Sequence, residues 1–320
     1  MTECTCRKWY LKDLGTGKDE MASVMAITSL ILSEIGSPEY SSTKSKRTFS
    51  DHCKIGLLIL KEWMDVSYRD LCKRLWSMPG VMTAGKMKSV PEPSTLRKFA
   101  KRVPSDLLDK VIAETARMLC GPDVIAPMDA TGMSMSNASG HYVKRLKMTG
   151  AVVTTVKNYA KVTLFGDVGS KAVISCDVVI SNTADVKRAM PVLEKAKETE
   201  IMIKNILADK GYDSEPLHRE GRAIFGNDID IWIPVRIQEP KSKRSADKWQ
   251  PGGTYRKIMY RSIDESPYSY RAIIETINSM IKRKMGDMIY GKTVFTVKKE
   301  VQFTVISHNM RLLLESGWVI

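Results

Sequence analysis

Three carboxylates stand where a sheet and a helix could present them together. Asp129 ends an apolar run, Val124 to Asp129, and Asp209 ends another, Ile203 to Asp209; turn-forming sequence follows each, Ala130-Thr131-Gly132 and Lys210-Gly211-Tyr212. A carboxylate just past the C-terminal end of a buried strand lies at the rim of an open α/β sheet, where ligands bind. The third, Glu275, falls in a segment opened by Ser266-Pro267, a Ser cap with Pro at the first helical position, and closed near Gly286. Counted at about 100° per residue from Tyr268, the positions of Arg271, Glu275 and Lys282 fall near 300°, 340° and 320°, so all four share one stripe. Ile273, Ile277, Met280 and Ile281 fall between about 120° and 220°, which lets the helix bury that face and hold the polar stripe towards a site. Carboxylate oxygens are hard ligands suited to Mg²⁺.

Other polar residues carry less. Asp185 follows an expected strand and opens an expected helix, where an Asp is usually a cap. Asp213, Asp264 and Glu265 lie near the three carboxylates and read as solvated or capping groups. His52, His141, His218 and His308 show neither metal-ligand spacing nor a paired nucleophile. Trp249 either stacks on a flipped base or packs locally, and Cys4-Thr5-Cys6 lacks the second pair that a zinc site needs.

The elements that must position these groups follow from patterning. The chain has 320 residues, 43% hydrophobic and 27% charged, which describes a globular protein with one large or two smaller domains and excludes disorder over its whole length. Its formal net charge is +14, which points to a polyanionic partner. Residues 41–110 and 236–300 each hold 15 basic and 7 acidic residues; they are either two nucleic-acid contact zones on an ordinary scaffold or two solvated faces. Residues 1–48 read as an N-terminal arm, helical over Met21–Leu32. Residues 49–120 read as a helical DNA-binding region, in which Ser50, Ser67, Ser94 and Ser105 cap successive helices and the first two suggest a helix-turn-helix. Residues 121–320 read as the catalytic domain. Its strands are Val124–Asp129, Lys161–Val168, Ala172–Ser181, Ile203–Asp209 and Asp228–Val235, with a helix over Ala184–Glu200 and a basic loop at about 239–262. The expected fold is therefore α/β, a mixed five-stranded sheet flanked by helices and preceded by an all-helical domain. Pro127, two residues before Asp129, makes the first strand short or bulged.

Tyr268-x2-Arg271-x3-Glu275-x6-Lys282 resembles the Y-x2-R-x3-E-x6-K motif of insertion-sequence DDE transposases, the superfamily that includes the families numbered four and five. Met128-Asp129-Ala130-Thr131-Gly132 is similar to that family's first-Asp segment and Ala208-Asp209-Lys210-Gly211-Tyr212-Asp213-Ser214 to its second. Ser67-Tyr68-Arg69-Asp70-Leu71 and Pro93-Ser94-Thr95-Leu96 resemble its N-terminal helical region, and the order Asp, Asp, Glu is the family's. The resemblance implies a ribonuclease H-like core in which Asp129, Asp209 and Glu275 are catalytic and bind two divalent metal ions, Mg²⁺ or Mn²⁺. Asp129 would bridge both ions and the others complete one each. Arg271 and Lys282 would hold transposon-end phosphates, and Tyr268 would either contact DNA or brace its helix.

The function this implies is that of a DDE transposase. It would bind the terminal inverted repeats of an insertion sequence, cut DNA by two-metal phosphodiester hydrolysis and join the 3' ends to target DNA. A DNA-binding protein descended from such an element that no longer cuts, and a metal-dependent nuclease of the same fold, are the alternatives; the complete acidic set argues against the first. The expected partners are double-stranded DNA, at transposon ends and target, and a second copy of the chain on that DNA. Six scattered cysteines, no signal peptide and no membrane span point to a reduced, intracellular protein, and the resemblance implies a cytoplasmic, nucleoid-associated setting in a prokaryotic cell.

Overall fold

The computed structural model describes residues 19–135, 159–236, 250–263 and 267–317, apart from residues 43, 45 and 182. The chain forms two compact units. One takes in Met1–Leu119, Ile281–Asp287 and Gly291–Ile320, the other Cys120–Met280 and Met288–Tyr290.

The first unit is helical. Asp19 caps α1 (Glu20–Glu34), its carboxylate accepting from the backbone N–H of Met21 at 3.1 Å and of Ala22 at 3.0 Å. Ser50 caps α2 (Asp51–Trp63) and Ser67 caps α3 (Tyr68–Leu75), as the sequence predicts. α4 (Pro79–Ala84), α5 (Pro93–Arg102) and α6 (Ser105–Leu119) follow. Ser94 and Ser105 do not cap: Pro93 opens α5 at N1, where a missing N–H costs nothing, and Ser105 is itself helical. The 22-residue helix α11 (Val294–Glu315) packs on α6, α2 and α5. A helix buried on nearly every side belongs at the centre of its unit. Val301, Phe303, Ile306, Leu312 and Leu313 are all core residues. Its buried polar groups are matched. Gln302 Nε2 donates to the Ser105 carbonyl at 3.0 Å and to Asp109 at 2.6 Å, Ser307 to the Ile59 carbonyl at 2.8 Å, and Asn309 to Thr115 at 3.0 Å. A single cut near residue 120 therefore does not describe the grouping. α11 lies in sequence beyond Glu275 yet packs with the N-terminal helices.

The second unit is built on a mixed sheet ordered β3-β2-β1-β4-β5. β1 (Val124–Met135), β2 (Tyr159–Gly166) and β3 (Val173–Val179) run antiparallel to one another in turn, and β4 (Ile203–Ala208) and β5 (Asp230–Trp232) run parallel to β1. Between β3 and β4 the chain crosses over in α7 (Val186–Glu198), which packs on β3 and β2; α8 (Glu215–Phe225) packs on α7. A sixth strand, β6 (Met288–Ile289), pairs parallel with the far end of β1 at Ser134 and Met135. The expected five strands are thus six, the last too short for any pattern. The architecture is the expected ribonuclease H-like mixed sheet flanked by helices.

Two expectations fail at the first strand and the basic loop. β1 does not stop at Asp129 but runs six residues further. Pro127 sits inside it without shortening it, and the register shift lies at Val124/Ile125. The Ile125 carbonyl accepts from Val168 N–H on the β2 edge, so alternation turns the Pro127 nitrogen to that same edge. The antiparallel ladder begins only at Met128↔Phe165, so the missing donor removes no ladder bond. In the expected loop, residues 254–262 form α9 (Thr254–Ser262), whose first N–H groups are satisfied from another helix. The Glu215 carboxylate accepts from Thr254 N at 2.8 Å, Tyr255 N at 3.2 Å and Arg256 N at 3.0 Å. Trp249, Ser266, Asp264, Glu265, His141, Cys4 and Cys6 lie outside the described residues.

α9 is fastened by one ion pair. Arg256 grips Asp213 with two bonds of 2.7 Å, and the Asp213 side chain is 2% exposed. Arg256→Ala leaves that carboxylate buried with no cation beside it and only the Arg236 backbone N–H, at 2.8 Å, donating to it, at an expected loss of about 3 kcal/mol in urea denaturation and of exchange protection at the α9 amides. The double variant Asp213→Leu with Arg256→Met should recover most of the loss. A single variant as stable as the parent would show that the pair does not hold α9.

Candidate active site

The site begins with a strand register. Met128 of β1 pairs with Ala208 of β4 in parallel, so Asp129 and Asp209 are the next residues on adjacent chains, about 5 Å apart at the backbone. Asp209 leaves β4 in an extended conformation and caps the 3₁₀ turn Lys210–Tyr212, accepting from Gly211 N–H at 2.8 Å. Gly211 leaves room for this arrangement: a Cβ there would stand 2.8 Å from Asp209 Oδ1 and 3.5 Å from Asp185 Oδ2.

Glu275 arrives on α10 (Ala272–Met285). Ile274, Ile277, Ile281 and Met285 form its buried stripe, with Ile273 and Met280 only half-buried. Ile277 is seated on β2 at Gly166, where a Cβ would meet its Cδ1 at 2.8 Å. Tyr268 and Arg271 do not lie on this α-helix. They occupy the preceding 3₁₀ turn Pro267–Arg271, where each residue advances about 120°. That turn packs on β1 and β4, which carries Arg271 and Tyr268 to the end of the sheet holding Asp129 and Asp209. Arg271 then pairs with Glu275 across the junction, four residues on. Lys282 falls in the last turn of α10, past the residue at which the helix leaves the α/β unit.

The groups that converge share one electrostatic field. Burial pushes the half-buried Asp129 carboxyl up. The Ala130 N–H and Arg271 pull it down, while Asp209 and Glu275 push it up again. Tyr268 is likewise raised by burial and by the Asp209, Asp129 and Glu275 carboxylates, against Arg271. Asp129, Asp209, Glu275, Arg271 and Tyr268 are therefore brought together. The donors are all hard oxygens bearing like charge, which fits a divalent cation of the Mg²⁺ kind. Among the described residues, however, no three His, Cys, Asp or Glu side chains stand in metal-holding geometry; Glu275 is engaged by Arg271 instead.

Sequence reasoning passed over a second layer. Asp185 makes no side-chain cap to α7. Its carboxylate pairs with Lys161 of β2 and reaches Gly211 beside Asp209. Tyr212, three residues after Asp209, is fully buried, and burial followed by the charges of Asp185, Asp129 and Asp209 raises its hydroxyl far above the usual range. Asp213 is neither solvated nor a cap but the anchor of α9. His218 is buried beside Tyr255 with ring centroids 6.0 Å apart, and burial and Arg222 hold it neutral, down to about 4. In the sequence, this layer shows only in the position of Asp185 between a strand and a helix and of Tyr212 between two carboxylates.

Residues 121–310 match the family model of the transposase DDE domain. Among solved structures the chain is similar to a piggyBac transposase in a synaptic complex with hairpin DNA, seen by cryo-EM. The two share 13% identity with a TM-score of 0.44, over 93% of this chain and 73% of that one. No curated protein matches it. No helix among the described residues is long and apolar enough to cross a membrane. With the match covering more than half of its length, the chain belongs to the transposase DDE domain family and is a DNA transposase.

Proposed function

We propose that this transposase binds the terminal inverted repeats of an insertion sequence, cuts there by phosphodiester hydrolysis and joins the freed 3' ends to target DNA. Asp129, Asp209 and Glu275 are the catalytic carboxylates in this reading, and Tyr268-x2-Arg271-x3-Glu275-x6-Lys282 is its Y-x2-R-x3-E-x6-K motif. The observation that carries the reading is the placement of Asp129 beside Asp209 by the β1–β4 register, with Glu275 acting on the same carboxyl. The family implies dependence on divalent metal. Two Mg²⁺ or Mn²⁺ ions, when bound, supply an activated attacking oxygen and a stabilised leaving oxygen.

The chain's own residues would then work as follows. Asp129, Asp209 and Glu275 would hold the cations. Arg271, which neutralises Glu275 in the DNA-free protein, turns to an end phosphate when DNA arrives, since a phosphate is a stronger bidentate partner for a guanidinium than an exposed carboxylate. That exchange frees Glu275. Lys282 adds a point charge for the backbone, and Tyr268 lies against the same DNA segment. Two copies assemble on two ends, because excision cuts both and each chain carries one acidic set. The setting is the nucleoid of a prokaryotic cell.

A DNA-binding protein that no longer cuts would instead keep Arg271 closed on Glu275 with DNA bound. Asp209→Asn should abolish nicking of end DNA in Mg²⁺ while gel shifts find end binding within about twofold of the parent. Nicking by the Asn variant at the parental rate would reject the role of Asp209, and an inert parent would favour the second reading.

Lys282→Ala should weaken end binding and lower the slope of log affinity against log salt by about one, the loss of one phosphate contact. An unchanged slope would remove Lys282 from the DNA interface.

A further inference from the structure

α9 is fastened more firmly than its own packing explains. Met259 is its one buried residue, so apolar burial, the usual source of a helix's stability in a protein, contributes little to holding it. Its inner side is held instead by polar and aromatic contacts to one short stretch of chain. Glu215 accepts from three of its N–H groups and Asp213 grips Arg256. The Arg222 guanidinium lies over the Tyr255 ring, 4.2 Å from its centroid, and His218 stacks beside the same ring. All of these partners fall within residues 213–222, which follow directly on the turn that Asp209 opens. The opposite side of α9 is uncovered. Counted at about 100° per residue from Lys257, the positions of Tyr260, Arg261 and Ile258 fall near 300°, 40° and 100°, with Met259 near 200°. Lys257 and Arg261 are exposed, as are Tyr260 by 45% and Ile258 by 49%. Residues 250–263 include no Asp or Glu, and among the described residues neither Lys257 nor Arg261 forms a salt bridge.

A merely solvated face needs neither two exposed apolar side chains nor such fastening. A second copy of the chain does not fit the face: a two-fold contact would set Lys257 and Arg261 against themselves, and lysine is depleted from protein interfaces. Two cations with an aromatic and an aliphatic side chain beside them suit DNA, which is held through its phosphates and sugars by Arg, Lys and Tyr. Reach points the same way. Four residues separate Asp209 from Asp213, at most about 14 Å of chain, and the 3₁₀ turn between them shortens it. Duplex DNA carries a charge about every 1.7 Å of its axis, so a duplex with one phosphate at Asp209 has others within that distance. We propose that the outer face of α9 is a second DNA contact, which grips the transposon-end duplex within one helical turn of the cut. Lys257 and Arg261 meet backbone phosphates, and Tyr260 and Ile258 lie against the sugars between them. The buried Asp213–Arg256 pair then has a use, since it fixes this grip close to Asp209. The contact reads no sequence; it sets where along the duplex the carboxylates act. This inference rests on the reading of Asp209 as a catalytic carboxylate for end DNA.

The experiment compares the parent, Lys257→Ala with Arg261→Ala, Lys257→Arg with Arg261→Lys, Tyr260→Ala and Asp209→Asn in the full chain. Melting temperature, affinity for end DNA across a salt series without divalent metal, and the hydroxyl-radical footprint on that DNA are read first; nicking and joining in Mg²⁺ follow. The double Ala variant should melt with the parent and bind end DNA about tenfold more weakly. Its slope of log affinity against log salt should fall by about two, one for each lost phosphate contact. Its footprint should lose protection within about 10 base pairs of the cut, one turn of the duplex, and keep it elsewhere. Tyr260→Ala should weaken binding severalfold with the slope unchanged, and the variant that exchanges Lys and Arg should keep both slope and footprint. An unchanged slope in the double Ala variant, protection lost evenly along the end DNA, or an affinity loss that follows a fall in melting temperature across the variants would each overturn the proposal. Parental end binding and nicking with joining alone reduced would overturn it in favour of target DNA. Parental end binding with a change in the size of the DNA-free protein would overturn it in favour of a second copy. If Asp209→Asn nicks at the parental rate, the catalytic reading falls and the α9 contact with it; a dead Asp209→Asn beside α9 variants that bind as the parent does rejects the α9 contact alone.

Discussion

The parallel pairing of β1 with β4 is the constraint on which the site depends. Strand register is quantised, since a slip of one residue turns every side chain to the opposite face, and with Met128 opposite Ala208 the two aspartates have to fall side by side. Buried apolar residues hold that register: Ala126 and Met128 on one strand, Ile206, Leu207 and Ala208 on the other, each nearly or fully excluded from solvent. The antiparallel strands β2 and β3 then extend the sheet on the other side of β1 and give α7 and α10 their seats. Pro127 is accommodated because it stands where β1 has lost one neighbour's ladder and not yet gained it back.

Bringing like charges to one place costs free energy, and this chain offsets the cost locally. Asp177 is gripped by Arg188, Asp185 by Lys161, Asp213 by Arg256 and Glu275 by Arg271. The pairs differ in use. Asp213 is buried with two good hydrogen bonds from its partner, so separating them would leave a charge stranded. Glu275 is 58% exposed on its side chain, and an exposed pair of this kind is worth little. A contact that weak can be exchanged for a phosphate at small expense, whereas the Asp213 pair cannot be exchanged at all. Structural and functional ion pairs are thus distinguished by burial more than by residue type.

Local signals made much of this legible. Ser50 and Ser67 announced their helices, apolar runs announced five of the six strands, and the breaker at Gly121-Pro122 marks the change from helices to strands. The spacing of Arg271 and Glu275 put them together even though the helical wheel drawn through Tyr268 was wrong, because a four-residue step survives a change from 3₁₀ to α geometry better than a seven-residue one. What stayed hidden depended on partners distant in sequence. Ala130-Thr131-Gly132 read as turn-forming, yet β2 provides partners from Ala130 to Ser134. α9 has few apolar residues and gains its N-terminal cap from Glu215, nearly forty positions away. α11 joins the N-terminal helices through partners its own sequence does not announce, Ser105, Asp109, Thr115 and the Ile59 carbonyl.

Satisfaction of buried polar groups separates the scaffold from the site. In α11 Gln302, Ser307 and Asn309 each have a partner, and such a helix has one register and no reason to leave it. Around Asp209 the pattern is reversed: three carboxylates share a field with Arg271. A site that must accept a cation and a phosphate cannot satisfy its own groups beforehand, because every internal bond would have to be broken when the ligands arrive. Unmet valence here is capacity held for ligands, and it can persist because the strands and helices that carry it are fixed by apolar packing and not by the polar groups themselves. The helix that delivers Glu275 shows the same economy, with Ile274 and Ile277 locking it to the unit while its carboxylate remains exchangeable.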